Sequence, residues 1–211
     1  PRAFRTLSDP ADCGPVTLAF CQDVQAEAYD YPLSFFDPTI WHRRKIRPDE
    51  GELTRVANVL KSARRPVIVA GGGVHYAEAT EMLRRFSETF NIPVCETQAG
   101  KSALPWGHPL NLGPIGVTGG DPANDACAGA DVVLGVGTRF QDFTTGSWAN
   151  FENPNFSLVS INVSRFDANK HMASSVIGDA KVSLNELSQA LGNWKAPDAW
   201  HKKSVNELKS W

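Results

Sequence analysis

No apolar run in this sequence approaches the roughly 20 residues that a membrane-spanning helix needs, and the first residues show no secretory signal pattern. An excess of one charge is also missing. The 21 basic and 23 acidic residues leave a formal net charge of -2, which gives no field to draw in nucleic acid or anionic lipid. The basic run His42-Arg43-Arg44-Lys45-Ile46-Arg47 is short and is followed by Asp49, Glu50 and Glu52, so it reads as a solvated connecting segment. Cysteine is sparse. Cys13, Cys21, Cys95 and Cys127 form no C-x-x-C pair and have no histidine at ligand spacing, which argues against a zinc site or a disulfide framework. They read as reduced, mostly buried thiols of a cytoplasmic protein. There is no internal repeat and no low-complexity segment.

What is present is an ordinary globular composition: 211 residues, 42% hydrophobic and 21% charged, enough for one domain with extensions. The chain opens at Pro1 inside polar sequence and reads as a piece of something longer. From Pro48 and Asp49 onward the pattern is clear. Leu53, Val56, Ala57 and Leu60 recur at the spacing of one buried helix face. Val67 to Ala70 is a continuous apolar run, suited to a strand buried on both faces, and Gly71-Gly72-Gly73 ends it. Ala79, Met82, Leu83, Phe86 and Phe90 return to helical spacing and read as core.

"NIPVCE", "DVVLGVG", "SLVSINV" and "SSVIG" continue as strands. "GDPANDACAGA" and the stretch carrying Leu184, Leu187 and Leu191 read as helices. This alternation predicts a Rossmann-like α/β fold, a parallel sheet of about six strands with helices on both faces. The loops starting at Gly71, Glu96, Gly137 and Ser164 should then share one rim, where ligands of such sheets bind. Before this core, "CGPVTLAFCQDVQ" reads as a strand with a polar exit, and "YDYPLSFFDPTIWHRRKIRP" as an extended linker against a partner surface. The tail after Pro197, with Trp194, Trp200 and Trp211 around it, reads either as a docking segment or as a self-packed helix.

Two glycine loops invite a phosphate reading. "CETQAGKSALPWG" ends a P-loop motif with Gly100-Lys101-Ser102, but Cys95 stands where the first glycine should be, and Pro105 interrupts the helix that should follow. "AGGGVHYAEA" follows a strand and opens a helix, yet Tyr76 replaces the third glycine of a dinucleotide fingerprint and no acidic residue stands about twenty residues on. A tight strand-to-helix turn is at least as good an account. His75 and His108 have no triad or metal partner tied to them by spacing and read as structural.

The order of segments points further. "GPV" with "QDVQ", then "RPVIVAGGG", "IPVCETQAGKSA", "LGPIGVTG", "ADVVLGVGTRF" and "INVSRFDANK" resembles the middle domain of thiamine diphosphate dependent enzymes such as acetolactate synthase. "QAEAYDYP", "ETQAGKSA", "PIGVTGG", "GTRFQDFTTGS" and "NVSRFDA" are similar to the branch that opens a cyclic 1,2-dione in myo-inositol breakdown. The resemblance implies that residues 1–30 end a pyrimidine-binding domain, 31–47 are a linker, 48–192 are the middle domain, and 193–211 lead toward a diphosphate-binding domain.

It also implies thiamine diphosphate and Mg2+ held outside this chain, and partners in the missing pyrimidine- and diphosphate-binding domains. A homodimer or homotetramer and a small cyclic dione substrate are implied as well. The chain itself would be inactive, serving as scaffold, channel and subunit contact. Gln98, Lys101, Arg139 and Phe143 would line a substrate channel. Phe143 stands where acetolactate synthase-like relatives carry an arginine for a 2-oxo acid, which argues against a free carboxylate substrate. Gly71, Gly72, Gly73, Gly137, Asn162 and Asp179 would form a nucleotide rim. Asn162 and Ser164 replace the acidic residues that hold a flavin ribose, so FAD is disfavoured, although Asp179 keeps a later acidic position. The alternative is an FAD, ADP or NAD binding domain of a carboligase.

Overall fold

The computed structural model describes residues 1–210 and divides into a unit Pro1–Lys45 and a second unit beginning at Ile46. The first unit contains helices α1 (Arg2–Ser8) and α2 (Gln22–Ala26) and a 3-10 turn, Leu33–Phe36. None of its residues is buried. The strand expected in "CGPVTLAFCQDVQ" does not form: 13–21 has no regular structure and α2 takes its end. No strand runs beside it among the described residues, and a lone strand leaves its backbone N–H and C=O groups without partners.

The second unit is built on a six-stranded parallel sheet. Its strands are β1 (Pro66–Ala70), β2 (Val94–Glu96), β3 (Asn111–Pro114), β4 (Val132–Val136), β5 (Ser157–Asn162) and β6 (Ser174–Ile177), in the order β3-β2-β1-β4-β5-β6. Five strands fall where the apolar runs predict them. β3 takes the sixth place and was not foreseen as a strand, because "NLGP" has no β-branched residue and includes Gly and Pro. It sits at the sheet edge, where a proline costs no ladder bond.

Alternate residues of the central strands feed two cores. Ile68, Ala70, Leu134, Val136, Val159 and Ile161 face helices α3 (Glu50–Ser62), α5 (Thr80–Phe90) and α9 (Ala180–Leu191). Val67, Val69, Cys95, Val133 and Leu158 face α6 (Asp121–Gly129) and Trp200 of α10 (Asp198–Ser210). Each valine, leucine or isoleucine among them contributes about 1.5–3 kcal/mol on burial. The helix ends follow local rules. Asp49 caps α3 through the N–H groups of Gly51 and Glu52, and Asn91 closes α5 in the left-handed conformation at φ 58°.

Short helices α4 (Gly73–Tyr76), α7 (Asp142–Thr145) and α8 (Arg165–Ala168) lie just beyond strand ends. The tail is self-packed: buried Trp200 donates its indole N–H to Pro66 O at 2.8 Å, and Trp194 packs on the first core. Trp211 lies outside the described residues. No helix among the described residues is long and apolar enough to cross a membrane. Cys13 and Cys21 are exposed, against the expectation of mostly buried thiols, because their unit has no core; Cys95 and Cys127 are buried.

Candidate functional site

All strands run the same way, so the loops opening at Gly71, Thr97, Gly137 and Val163 share the rim expected from the alternation. Strand order reverses between β1 and β4, the switch point where sheets of this order hold ligands. Here the two glycine loops close on each other. Gly73 N–H donates to Gly137 O at 2.9 Å, Gly71 N–H to Val136 O at 2.9 Å, and Gly137 N–H to Ile161 O at 2.8 Å. A Cβ on Gly71 would stand 2.3 Å from Gly137 O, and one on Gly137, whose φ is +61°, would stand 2.5 Å from Gly73 Cα. Backbone contact therefore requires these glycines, and the N–H groups of Gly71, Gly73 and Gly137 are already engaged and not free for a phosphate.

The structure brings Gly71, Gly72, Gly73 and Gly137 together but gives Asn162 and Asp179 local tasks. Asn162 donates to Thr138 O and accepts from Ser164 N–H, both at 3.0 Å, which closes the turn after β5. Asp179 caps α9, accepting from Lys181 and Val182 N–H at 3.0 and 3.1 Å.

The Lys101 loop is shaped by Glu96, which sequence reasoning passed over. Its buried carboxylate accepts from Ser102 N–H at 3.2 Å, Leu104 N–H at 3.0 Å and Asn111 Nδ2 at 3.4 Å. Gly100-Lys101-Ser102 thus forms a turn with no helix behind it, as the rejection of a P-loop requires. His75 Nε2 meets Lys101 O at 2.9 Å and ties the loops after β1 and β2 together. His108 bridges Glu88 at 3.0 Å and accepts from Leu110 N–H, so both histidines have structural roles.

Gln98 and Lys101 are exposed on the loop after β2, and Arg139 and Phe143 on the loop after β4, with β1 between them in the sheet. No hydrogen bond links the two pairs among the described residues. The rim also exposes apolar side chains in the loops that leave β1, β3, β4 and β5: Tyr76, Val117, Phe143, Phe166 and Met172. An apolar rim of this kind suits a protein interface.

Backbone strain gathers at one place on it. Phe140, Ser147, Trp148, His171 and Met172 have φ of 44°, 53°, 73°, 56° and 60°. Left-handed backbone at non-glycine residues costs about 1–3 kcal/mol each and concentrates where structure serves a ligand. Trp148 lies against His171 at 4.2 Å between centroids, the rings tilted by 33°, and packs on Phe151 at 4.9 Å. Phe140 and Ser147 fall within the "GTRFQDFTTGS" stretch, whereas no motif quoted from the sequence contains Trp148, His171 or Met172.

Cys95 and Cys127 lie buried side by side. Cys127 donates to Cys95 Sγ at 3.9 Å, and this bond, followed by burial, pushes the Cys95 thiol well above its ordinary range. Among the described residues no group of three or more His, Cys, Asp or Glu could hold a metal, and Gly178-Asp179-Ala180 has its carboxylate engaged in the α9 cap.

The profile described as thiamine pyrophosphate enzyme, central domain, matches residues 53–187. The chain belongs to the thiamine pyrophosphate enzyme central domain family. This central domain is 46% identical over 209 residues to a 3D-(3,5/4)-trihydroxycyclohexane-1,2-dione hydrolase of Clostridium perfringens, covering 99% of this chain and 33% of the relative. It is 49% identical to the Clostridium tetani enzyme of the same name, over 90% of this chain and 29% of that protein. A Bacillus cereus enzyme named as hydrolase 1 matches at 48%, over 90% of the chain and 30% of the relative. The chain thus spans about a third of the length of these relatives. They are named as dione hydrolases, so the comparisons favour that branch over a nucleotide-binding carboligase domain. Among the described residues no carboxylate set fits the metal that the diphosphate of the family's cofactor would require.

Proposed function

We propose that the chain is the central part of a thiamine diphosphate dependent hydrolase that opens the ring of 3D-(3,5/4)-trihydroxycyclohexane-1,2-dione to 5-deoxy-glucuronate. The observation that carries this reading is identity of 46% extending over 99% of the chain, including residues outside the matched domain profile. On this reading residues 1–30 belong to the end of a pyrimidine-binding domain, 31–47 to a linker, 48–192 to the central domain and 193–211 to the approach to a diphosphate-binding domain. The break between Lys45 and Ile46 supports the second boundary.

Thiamine diphosphate, when bound, would supply a nucleophilic carbanion and an electron sink, and it and Mg2+ would be held by those other domains. This chain provides the scaffold, and its exposed rim serves contacts within a homodimer or homotetramer. Gln98, Lys101, Arg139 and Phe143 border the channel to the dione. The protein works in the cytoplasm, a reading supported by four free cysteines.

The test is ring opening of the dione by the full-length enzyme, followed by mass spectrometry of the product. Lys101→Ala should lower turnover or raise KM, and unchanged values of both would remove Lys101 from the channel. Thermal unfolding of the 211-residue chain should not shift with thiamine diphosphate and Mg2+, ADP, FAD or NAD. Micromolar protection by thiamine diphosphate would overturn the division of labour between the domains.

A further inference from the structure

Glu96 is a buried carboxylate with no cation paired to it. Among the described residues no lysine, arginine or histidine forms an ion pair with it. Its oxygens meet neutral donors instead: Ser102 N–H on Oε2, Leu104 N–H and Asn111 Nδ2 on Oε1. Burying a charge costs stability unless hydrogen bonds replace its water, and a neutral side chain at the end of β2 would avoid that cost. What a carboxylate adds is two oxygens that both accept. They take the N–H groups of Ser102 and Leu104 together, which fastens the turn between them to the sheet.

The same turn is fixed from other sides. Thr97 Oγ1 accepts from Gly100 N–H at 3.1 Å. Gly100 lies so close to the end of β1 that a Cβ on it would stand 2.0 Å from Ala70 O. Ser102 is held in left-handed backbone at φ 68°. His75, from the loop after β1, donates from Nε2 to Lys101 O at 2.9 Å, since a carbonyl oxygen can only accept. The peptide unit joining Lys101 to Ser102 is therefore gripped on both sides, its C=O by His75 and its N–H by Glu96. Packing of buried Ala103 and Leu104 accounts for the end of the turn but not for this grip. The Lys101 side chain itself is exposed, and its ammonium has no hydrogen bond or ion pair among the described residues.

An ammonium on a four-carbon stem reaches many places, and a displacement of about 1 Å at a reacting centre can cost about 100-fold in rate. A fixed origin for the stem matters most where the lysine meets a reacting group. We propose that Glu96 and His75 are positioning residues that hold the Lys101 peptide on the rim, so that the Lys101 ammonium donates to an oxygen of the substrate. That Lys101 faces the dione rests on the function proposed above, whereas the clamp rests on its geometry alone.

Glu96→Gln keeps the shape of the side chain but turns an amide N–H toward one of the two backbone donors. In the 211-residue chain, amide hydrogen exchange at Ser102 and Leu104 should then run at least about tenfold faster, while exchange at Ile68 and Leu134 in the central strands stays the same. In the full-length enzyme, Glu96→Gln and Lys101→Ala should each lower kcat/KM for opening of the dione by about tenfold, and the double variant should be no worse than Lys101→Ala alone. His75 is half-buried, so His75→Ala repeats the cycle if Glu96→Gln does not fold, and its loss should likewise vanish when Lys101 is alanine. A loss that persists undiminished in the Lys101→Ala background means that Glu96 serves the fold alone, and it overturns the proposal. Unchanged kcat/KM in Glu96→Gln, or unchanged exchange at Ser102, does the same. Ring opening by the wild-type enzyme that is indifferent to Glu96 and His75 would sink the clamp and leave the proposed function standing. Faster exchange at Ser102 and Leu104 in Glu96→Gln, with no ring opening by the wild type, would do the reverse.

Discussion

Residues 1–45 and the unit beginning at Ile46 are both rich in apolar side chains, yet only the second buries them. Leu18, Phe20, Tyr29, Leu33, Phe35, Phe36 and Ile40 stand exposed, while Phe86, Phe90, Ile68 and Leu134 are excluded from water. The first unit does pair its rings, with Tyr31 and Phe35 at 4.7 Å and Phe4 on Trp41 at 5.6 Å. But its helices have seven and five residues, below the roughly 12 at which an isolated helix holds together, and residues 1–45 contain no strand for them to cover. Apolar content makes a core only when a period of 3.6 or 2 aligns it across elements that meet. On the function proposed above, the exposed set would be covered by surfaces of the other domains of a longer enzyme; the relatives are about three times the length of this chain.

The sharpest way to break this contrast is truncation of one phenylalanine in each unit. Phe86→Ala should cost about 3–5 kcal/mol and Phe36→Ala less than about 0.5, measured by urea unfolding of the same chain. Comparable losses would show that the first unit has a core of its own. Next comes Gly137→Ala, which places a Cβ against Gly73 at an unfavourable φ; roughly 2–4 kcal/mol should be lost, and a neutral result would mean that the two loops do not meet.

Trp200→Phe removes the bond to Pro66 O and should cost about 1–2 kcal/mol, with hydrogen exchange at β1 showing whether the tail helix holds that strand end. Smaller still is an effect of pH. Hydrogen bonds from Arg84 and then Arg85 hold Glu81 down at about 2, below its ordinary 4.5. Its contribution is therefore present above pH 4.5 and is lost as pH falls through about 2. Glu81→Gln should therefore lower stability slightly near neutrality and flatten the acid limb of the stability curve, the effect being small because Glu81 is exposed and its charge is screened. The smallest expected effect comes from removing residues 1–45. With every buried side chain at Pro48 or later, the melting temperature should stay within about 2 °C, and a larger fall would end the comparison.

Much of the second unit was legible beforehand because its signals are local. Val67 to Ala70, Leu53 to Leu60 and Ala79 to Phe90 each carry a period that one element satisfies. β3 was not legible, because "NLGP" becomes a strand only through the backbone of β2 beside it. Nor was the false strand in "CGPVTLAFCQDVQ", whose apolar alternation has no neighbour to pair with. The candidate site divides in the same way. The rim followed from strand direction, but the glycines at Gly71, Gly73 and Gly137 turned out to serve one another.

The sequence alone determined the parallel α/β layering, the loops that share the rim and the family, since helical and strand periods and ordered motifs are properties of neighbouring residues. Tertiary structure decided that the switch point is closed, that Glu96 builds the Lys101 loop, and that Trp148 and His171 meet across segments more than twenty residues apart along the chain. The physical reason is that contact distances, backbone clashes and shared cavities depend on where separate elements come together, and no local pattern encodes that placement.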